Sequence, residues 1–177
     1  MTTDPTILVA GDALGDFVPH NSGPPGDTGG YEPTFGGSGA NAAMALDRFG
    51  VSPLCWTRLA TDDLGVFLRE HFAASDIPSD LLVTDEEVRT TVALVTHDAE
   101  RGPSFAFYRE QGADTKLQQG TVSDSSLESV SWVHTTGVTM SVEPSRSATP
   151  DLQSRASDRC TVSLYPNWRP EMWHSSH

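Results

Sequence analysis

Apolar residues fall along this chain in short continuous runs separated by polar turns, with stretches of helical spacing between the runs. Thr6-Ile7-Leu8-Val9-Ala10, ending in Gly11-Asp12, predicts a buried strand of a parallel sheet with polar residues at its carboxyl end. Residues 40–49 carry Ala42, Ala45, Leu46 and Phe49 at helical spacing and stop at Gly50, which predicts a first helix. Leu54-Cys55-Trp56-Thr57-Arg58-Leu59 predicts a second strand. A second helix follows, opened by Asp62 and Asp63, with Leu64, Phe67, Leu68 and Phe72 on one face. Residues 130–134 and 160–164 repeat the buried-strand pattern. Between them residues 143–158 are helical in composition, and Pro150 is expected to break or kink that helix.

Two stretches depart from this alternation. Residues 18–35 are rich in Pro and Gly, with strand character only near 31–35. Residues 89–97 are rich in Thr and Val, residues 104–109 place Phe105 and Phe107 on one face, and residues 98–102 are turn material, so the pair reads as a hairpin. The sum is an open α/β sheet carrying a small antiparallel flap. Ligands of such sheets bind beyond the carboxyl ends of the strands. Asp12, Asp16, residues 36–41, Gly137 and residues 167–169 all fall there.

The run Phe35-Gly36-Gly37-Ser38-Gly39-Ala40-Asn41 sets a bare backbone and one amide at the mouth of the first helix, whose leading N–H groups lack intrahelical partners. Asn41 can both donate to and accept from a polyhydroxyl ligand. A flexible connector and a dinucleotide fingerprint are the alternatives. Gly37-x-Gly39-x-x-Ala42 fits the latter, but Tyr31-Glu32-Pro33-Thr34 stands where it requires a buried apolar strand.

Composition narrows the functional classes. A chain of 177 residues suits one domain, or one with a small appendage, and no apolar run is long enough to span a bilayer. Met1 to Pro5 is polar rather than a signal peptide, so a cytoplasmic location is expected. Cys55 and Cys160 are isolated, which argues against structural zinc and a disulfide framework, and His174 and His177 lie in a terminal tail; no metal site is expected. The net charge is −13, with Lys116 as the single lysine, which argues against nucleic acid or an acidic membrane as partner. An acidic, lysine-poor surface also suits a cytosol of very high salt, a halophilic, haloarchaeal-type character.

Taken together, Gly11-Asp12-Ala13-Leu14-Gly15-Asp16, Gly36-Gly37-Ser38-Gly39-Ala40-Asn41-Ala42-Ala43, Thr90-Thr91-Val92-Ala93-Leu94-Val95, Phe105-Ala106-Phe107-Tyr108-Arg109, Thr136-Gly137-Val138 and Pro166-Asn167-Trp168-Arg169-Pro170 resemble the ribokinase/PfkB family of sugar kinases, in the family's own order. The resemblance implies a Rossmann-like ribokinase fold, a parallel sheet flanked by helices with a small antiparallel β lid. Residues 1–177 would form a partial domain of this kind, with lid segments at about 12–36 and 88–112. It implies that Asp12 and Asp16 bind sugar hydroxyls, that Gly36, Gly37 and Asn41 form the substrate loop, that Phe107 and Arg109 touch substrate from the lid, and that Asn167 and Arg169 approach substrate and phosphate. The activity implied is fructokinase-like phosphorylation of a small-molecule sugar with ATP and Mg2+, and a homodimer through the lid is plausible by resemblance.

Two departures matter. Tyr165-Pro166-Asn167 stands where the family has Asp-Pro-Asn. The family's Asn-x-x-Glu segment, adenine pocket and Asp-Thr-x-Gly-Ala-Gly-Asp signature, which carries the catalytic base, are absent from this sequence, and Gly112-Ala113-Asp114-Thr115 is not that motif. No catalytic residue is therefore assigned, and an inactive fragment lacking the C-terminal half, binding neither ATP nor Mg2+, is expected. The alternatives are a 2-keto-3-deoxygluconate kinase, whose carboxylate substrate favours arginines such as Arg109 and Arg169, and a non-catalytic sugar-binding remnant.

Overall fold

The computed structural model describes residues 7–98 and 102–173. The polar start Met1 to Pro5, the turn residues 99–101 and the His174 and His177 tail lie outside the described residues. Five parallel strands form the body: β1 (Ile7–Ala10), β4 (Leu54–Ala60), β5 (Leu82–Asp85), β8 (Trp132–Thr136) and β9 (Thr161–Tyr165), in the order β5-β4-β1-β8-β9. Among the described residues the α-helices are α1 (Ser38–Arg48), α2 (Asp63–Ala73), the short α3 (Asp124–Glu128) and α4 (Ser145–Ser157). β1 is apolar throughout because it is covered on both of its faces. Leu8 joins Trp56, Leu127, Val133 and Leu152 in one apolar cluster, whereas Val9 joins Ala40, Cys55, Leu68 and Phe72 in a second, against α1 and α2. Each fully buried Leu or Phe contributes about 1.5–3 kcal/mol.

Four further strands form a separate sheet in the order β3-β2-β6-β7, comprising β2 (Leu14–Pro19), β3 (Tyr31–Gly36), β6 (Val92–Asp98) and β7 (Gly102–Tyr108). Two antiparallel pairs, β2–β3 and β6–β7, meet along a parallel seam between β2 and β6. The hairpin read from residues 89–109 is the second of these pairs. Two strands were not legible. β2 contains Gly15 and Asp16, poor strand formers, and owes its pairing to neighbours distant in sequence. β5 has only 4 residues.

A break at Pro150 is not observed. Instead α4 runs on through it; the proline lies on the exposed face, where water can satisfy the carbonyl that loses its partner. In α1 the residues packed into the core are Gly39, Ala40 and Ala43, whereas Ala45 is exposed and Phe49 retains 85% of its surface. The helix turns its smallest residues inward because it crosses β1 so closely that a Cβ on Gly39 would lie 2.8 Å from the Gly11 carbonyl carbon. Of the stripe, Ala42 and Leu46 pack partly against this core, whereas Ala45 and Phe49 are left outside it.

Candidate functional site

The mouth of α1 is closed, contrary to the expectation of free N–H groups. Asp12, at the end of β1, accepts from Ser38 N at 3.0 Å through Oδ2, and from Ser38 Oγ at 2.5 Å, Gly39 N at 3.2 Å and Thr136 Oγ1 at 3.2 Å through Oδ1. The next two donors go to backbone carbonyls, Ala40 N to Asp12 O and Asn41 N to Gly37 O. Of the donors to Asp12, three fall on Oδ1 and one on Oδ2, so the protein fills Oδ1 and leaves one acceptor position of Oδ2 on the cavity side. Asp12 therefore sits where an anion bound at this helix end would sit, and the α1 mouth does not fit a phosphate. The turn into α1 depends on Gly37, whose φ is 103° and whose missing side chain makes room for the Asp12 carbonyl.

Above this cap lies a cavity of about 360 Å³, a size suited to a small polar ligand. Asp12, Asp16, Gly37, Asn41, Phe107, Asn167 and Arg169, all singled out from the sequence, line it. They arrive from β2, the α1 mouth, β7 and the loop after β9, hence from both sheets. The Asp16 carboxyl is half-buried, and burial, reinforced by the charge of Asp12, raises its pKa to about 6. Asn167 adopts a left-handed φ of 39°, and its Oδ1 is buried without a protein partner. The Arg169 guanidinium lies 5.8 Å from the centre of the Phe105 ring, and Phe105 stacks on Phe107 at 6.1 Å. The 166–169 loop comes this close because a side chain at Gly137 would strike the Pro166 carbonyl.

Gly36 and Arg109 lie off the cavity wall. Gly36 pairs with Leu14 at the end of β3, and the Asp16 carboxylate covers the space a side chain would take. Arg109 is bound inward: its Nε donates to Asp114 at 2.6 Å, and its other nitrogens donate to Ser141 Oγ at 2.5 Å and Val138 O at 3.1 Å. Asp114 is fully buried and also accepts from Thr91 Oγ1. Burial pushes its carboxyl above the usual range, opposed by Arg109 and Thr91. Arg109 thus ties the end of a lid strand to the 137–141 turn of the body.

Sequence reasoning missed Leu14, Phe105, Val138, Tyr165 and Met172 among the lining residues, whereas Ser38 fell within the 36–41 stretch it singled out. Phe105 had a signal, since it shares a strand face with Phe107. Tyr165 had one too, as the departure from the family motif. The apolar Leu14, Val138 and Met172 looked like any core residue. Among the described residues no group of three or more His, Cys, Asp or Glu could hold a metal.

A parallel α/β body with a β lid over a polar cavity at the carboxyl ends of its strands defines the class of protein. Residues 4–176 match the profile of the pfkB family carbohydrate kinase, and the chain belongs to that family. It is 30% identical over 171 residues to the fructokinase of Solanum tuberosum, covering 96% of this chain and 54% of that protein. Among solved structures, the fructokinase from Xylella fastidiosa superposes with a TM-score of 0.88 at 28% identity, over 99% of this chain and 54% of that one. The structure of that fructokinase with bound ATP gives 0.87 at 28% identity, over 99% and 52%. The chain thus spans about half the length of the relatives it matches.

Proposed function

We propose that this chain is the sugar-binding half of an ATP-dependent, fructokinase-like carbohydrate kinase. The observation that carries the reading is the convergence of Asp16, Asn41, Asn167 and Arg169 on one cavity between body and lid. Asp16, when ionised, accepts from two sugar hydroxyls at once, Asn41 donates and accepts, and the unpaired Oδ1 of Asn167 takes a further hydroxyl. Phe105 and Phe107 form an apolar wall, and Arg169 brings a positive charge to the side from which Tyr165 also reaches the cavity. Asp12 supports the sugar site by holding the α1 mouth in place.

Phosphoryl transfer needs an in-line nucleotide and a base for the attacking hydroxyl. ATP with Mg2+ is the donor proposed for the complete enzyme, in keeping with the ATP-bound relative. In this chain the helix mouth is taken by Asp12, and Asp114 is locked to Arg109, so neither offers a cradle or a base. The chain alone is proposed to bind sugar without phosphorylating it. A keto-acid substrate finds one guanidinium on the cavity wall among the described residues, that of Arg169, because Arg109 is engaged elsewhere; this favours a neutral hexose. The test is a pair of assays on the purified chain: calorimetric titration with fructose, glucose and 2-keto-3-deoxygluconate, and coupled ADP release with each. Fructose binding without turnover is expected. Sugar-dependent ADP release would show that the chain carries a base and a nucleotide site of its own.

A further inference from the structure

Phe105 and Phe107 face the cavity from β7, and strand alternation sends the next residue of that series, Arg109, toward the same face. The guanidinium nevertheless lies behind the cavity wall. Its Nη2 donates to the carbonyl of Val138, itself a lining residue, so a single residue separates the charge from the cavity. The Arg109 side chain keeps 9% of its surface exposed, and that of Asp114 keeps none. Of the three groups that hold the guanidinium, Ser141 Oγ and Val138 O are neutral, and Asp114 supplies the opposing charge.

Asp114 is fixed in turn by its surroundings. Thr91 Oγ1 donates to its Oδ1, and its backbone carbonyl accepts from Ser145 Oγ at 2.9 Å. A side chain at Gly112 would strike Thr91 Oγ1 and crowd Asp114 Oδ1, so the bare backbone there makes room for the carboxylate. A buried guanidinium is tolerated beside such a partner and is costly without one. With no carboxylate behind the wall, the charge is driven toward solvent, and the cavity one residue away offers it.

The cavity itself shows what is gained by keeping that charge out. Asp12 and Asp16 line it, and among the described residues Arg169 is the one guanidinium on its wall. A ligand carboxylate meets two like charges there and one opposite charge, whereas a neutral sugar meets hydrogen-bond acceptors. A second guanidinium would reverse that balance and could pair bidentately with the carboxylate.

We infer that Asp114 determines the specificity of the cavity: acting through Arg109, it withholds a guanidinium and thereby excludes sugar acids in favour of neutral sugars. Asp114 touches no ligand and is a positioning residue. The inference rests on the reading of the cavity as a sugar site.

The test compares wild type with Asp114→Ala by calorimetric titration with fructose and with D-gluconate, a hexose-derived carboxylate. In the variant the affinity for gluconate is expected to rise by about tenfold or more, while that for fructose changes by less than about threefold. Adding Arg109→Met to Asp114→Ala is expected to abolish the gain, because the released guanidinium supplies it. A purely structural role for Asp114 would weaken both ligands together and would not depend on Arg109. Asp114→Asn keeps the size of the side chain and an acceptor for Thr91; it is expected to give a smaller gain of the same sign, and serves if Asp114→Ala does not fold. In wild type the Arg109 Nε–H, followed by NMR, is expected to exchange slowly with water and to stay unshifted by gluconate. Fructose that fails to bind wild type would overturn the sugar reading instead, and the gluconate comparison between variants would still decide the role of Asp114. Gluconate affinity unchanged or lowered in a folded variant, as release toward the neighbouring cavity and Glu110 would produce, would overturn the inference. So would a gain that survives Arg109→Met, or a wild-type Nε–H that exchanges freely or shifts with gluconate.

Discussion

Asp16 stands under two opposed demands, since a sugar ligand needs its charge while its burial beside Asp12 penalises that charge. Its pKa is raised from 3.8 to about 6, so between these values the folded chain holds a proton that the unfolded chain releases. Stability from this group is therefore intact below 3.8, declines as pH rises through about 6, and stays lower above that. Asp16→Asn is expected to raise the melting temperature at pH 7.5 by about 2–6 °C, with the difference gone near pH 4. The same variant is expected to weaken sugar binding by about tenfold or more, the cost of losing a charged acceptor. Wild-type affinity should rise with pH through about 6. Calorimetry on both proteins across that range checks each sign. Arg109→Ala is expected to cost about 3–5 kcal/mol in urea unfolding at neutral pH, because it strands the buried Asp114. The penalty should shrink in acid as Asp114 takes up a proton, whereas a substrate-binding role alone would leave stability untouched.

At this scale Asp16, Asn41, Asn167 and Arg169 were legible because each lies in a short motif at a strand end. The commitment of Asp12 to Ser38, Gly39 and Thr136 was not, since a carboxylate at a strand end looks alike whether it faces a ligand or a helix. The inward fate of Arg109 was hidden for a related reason: alternation along β7 puts it on the face of Phe105 and Phe107, but its length lets it reach back to Asp114.

Among the elements, the β1–α1 junction positions the whole site. Gly37→Ala would place a methyl group against the Asp12 carbonyl at a φ of 103°. It is expected to cost about 1–3 kcal/mol and to loosen the Ser38 and Gly39 hydrogen bonds, seen as faster exchange of those two amides. Strands buried on both faces were easily read, as runs such as Ile7-Leu8-Val9-Ala10. β2 escaped because its stability comes from pairing with β3 and β6 rather than from its own composition. The α1 stripe was rightly read as apolar and helical. Which side turns inward was not legible in that spacing, because the close packing of Gly39 on Gly11 decides it.

For the whole molecule, a net charge of −13 with few cations implies self-repulsion that salt relieves. The melting temperature is expected to rise by about 5 °C or more between 0.1 and 2 M KCl. A flat dependence would mean that the acidic surface does not limit stability. Among the described residues no helix is long and apolar enough to cross a membrane.

The cavity between body and lid is expected to hold a sugar. Titration of isotopically labelled chain with fructose, followed by amide and side-chain NMR, tests it. Saturable shifts at Asp16, Asn41, Phe107 and Asn167 are predicted, with a Kd of about millimolar for an isolated half-site, abolished by Asp16→Asn. Absence of shifts at these residues up to about 100 mM fructose, in a chain shown to be folded, would contradict it.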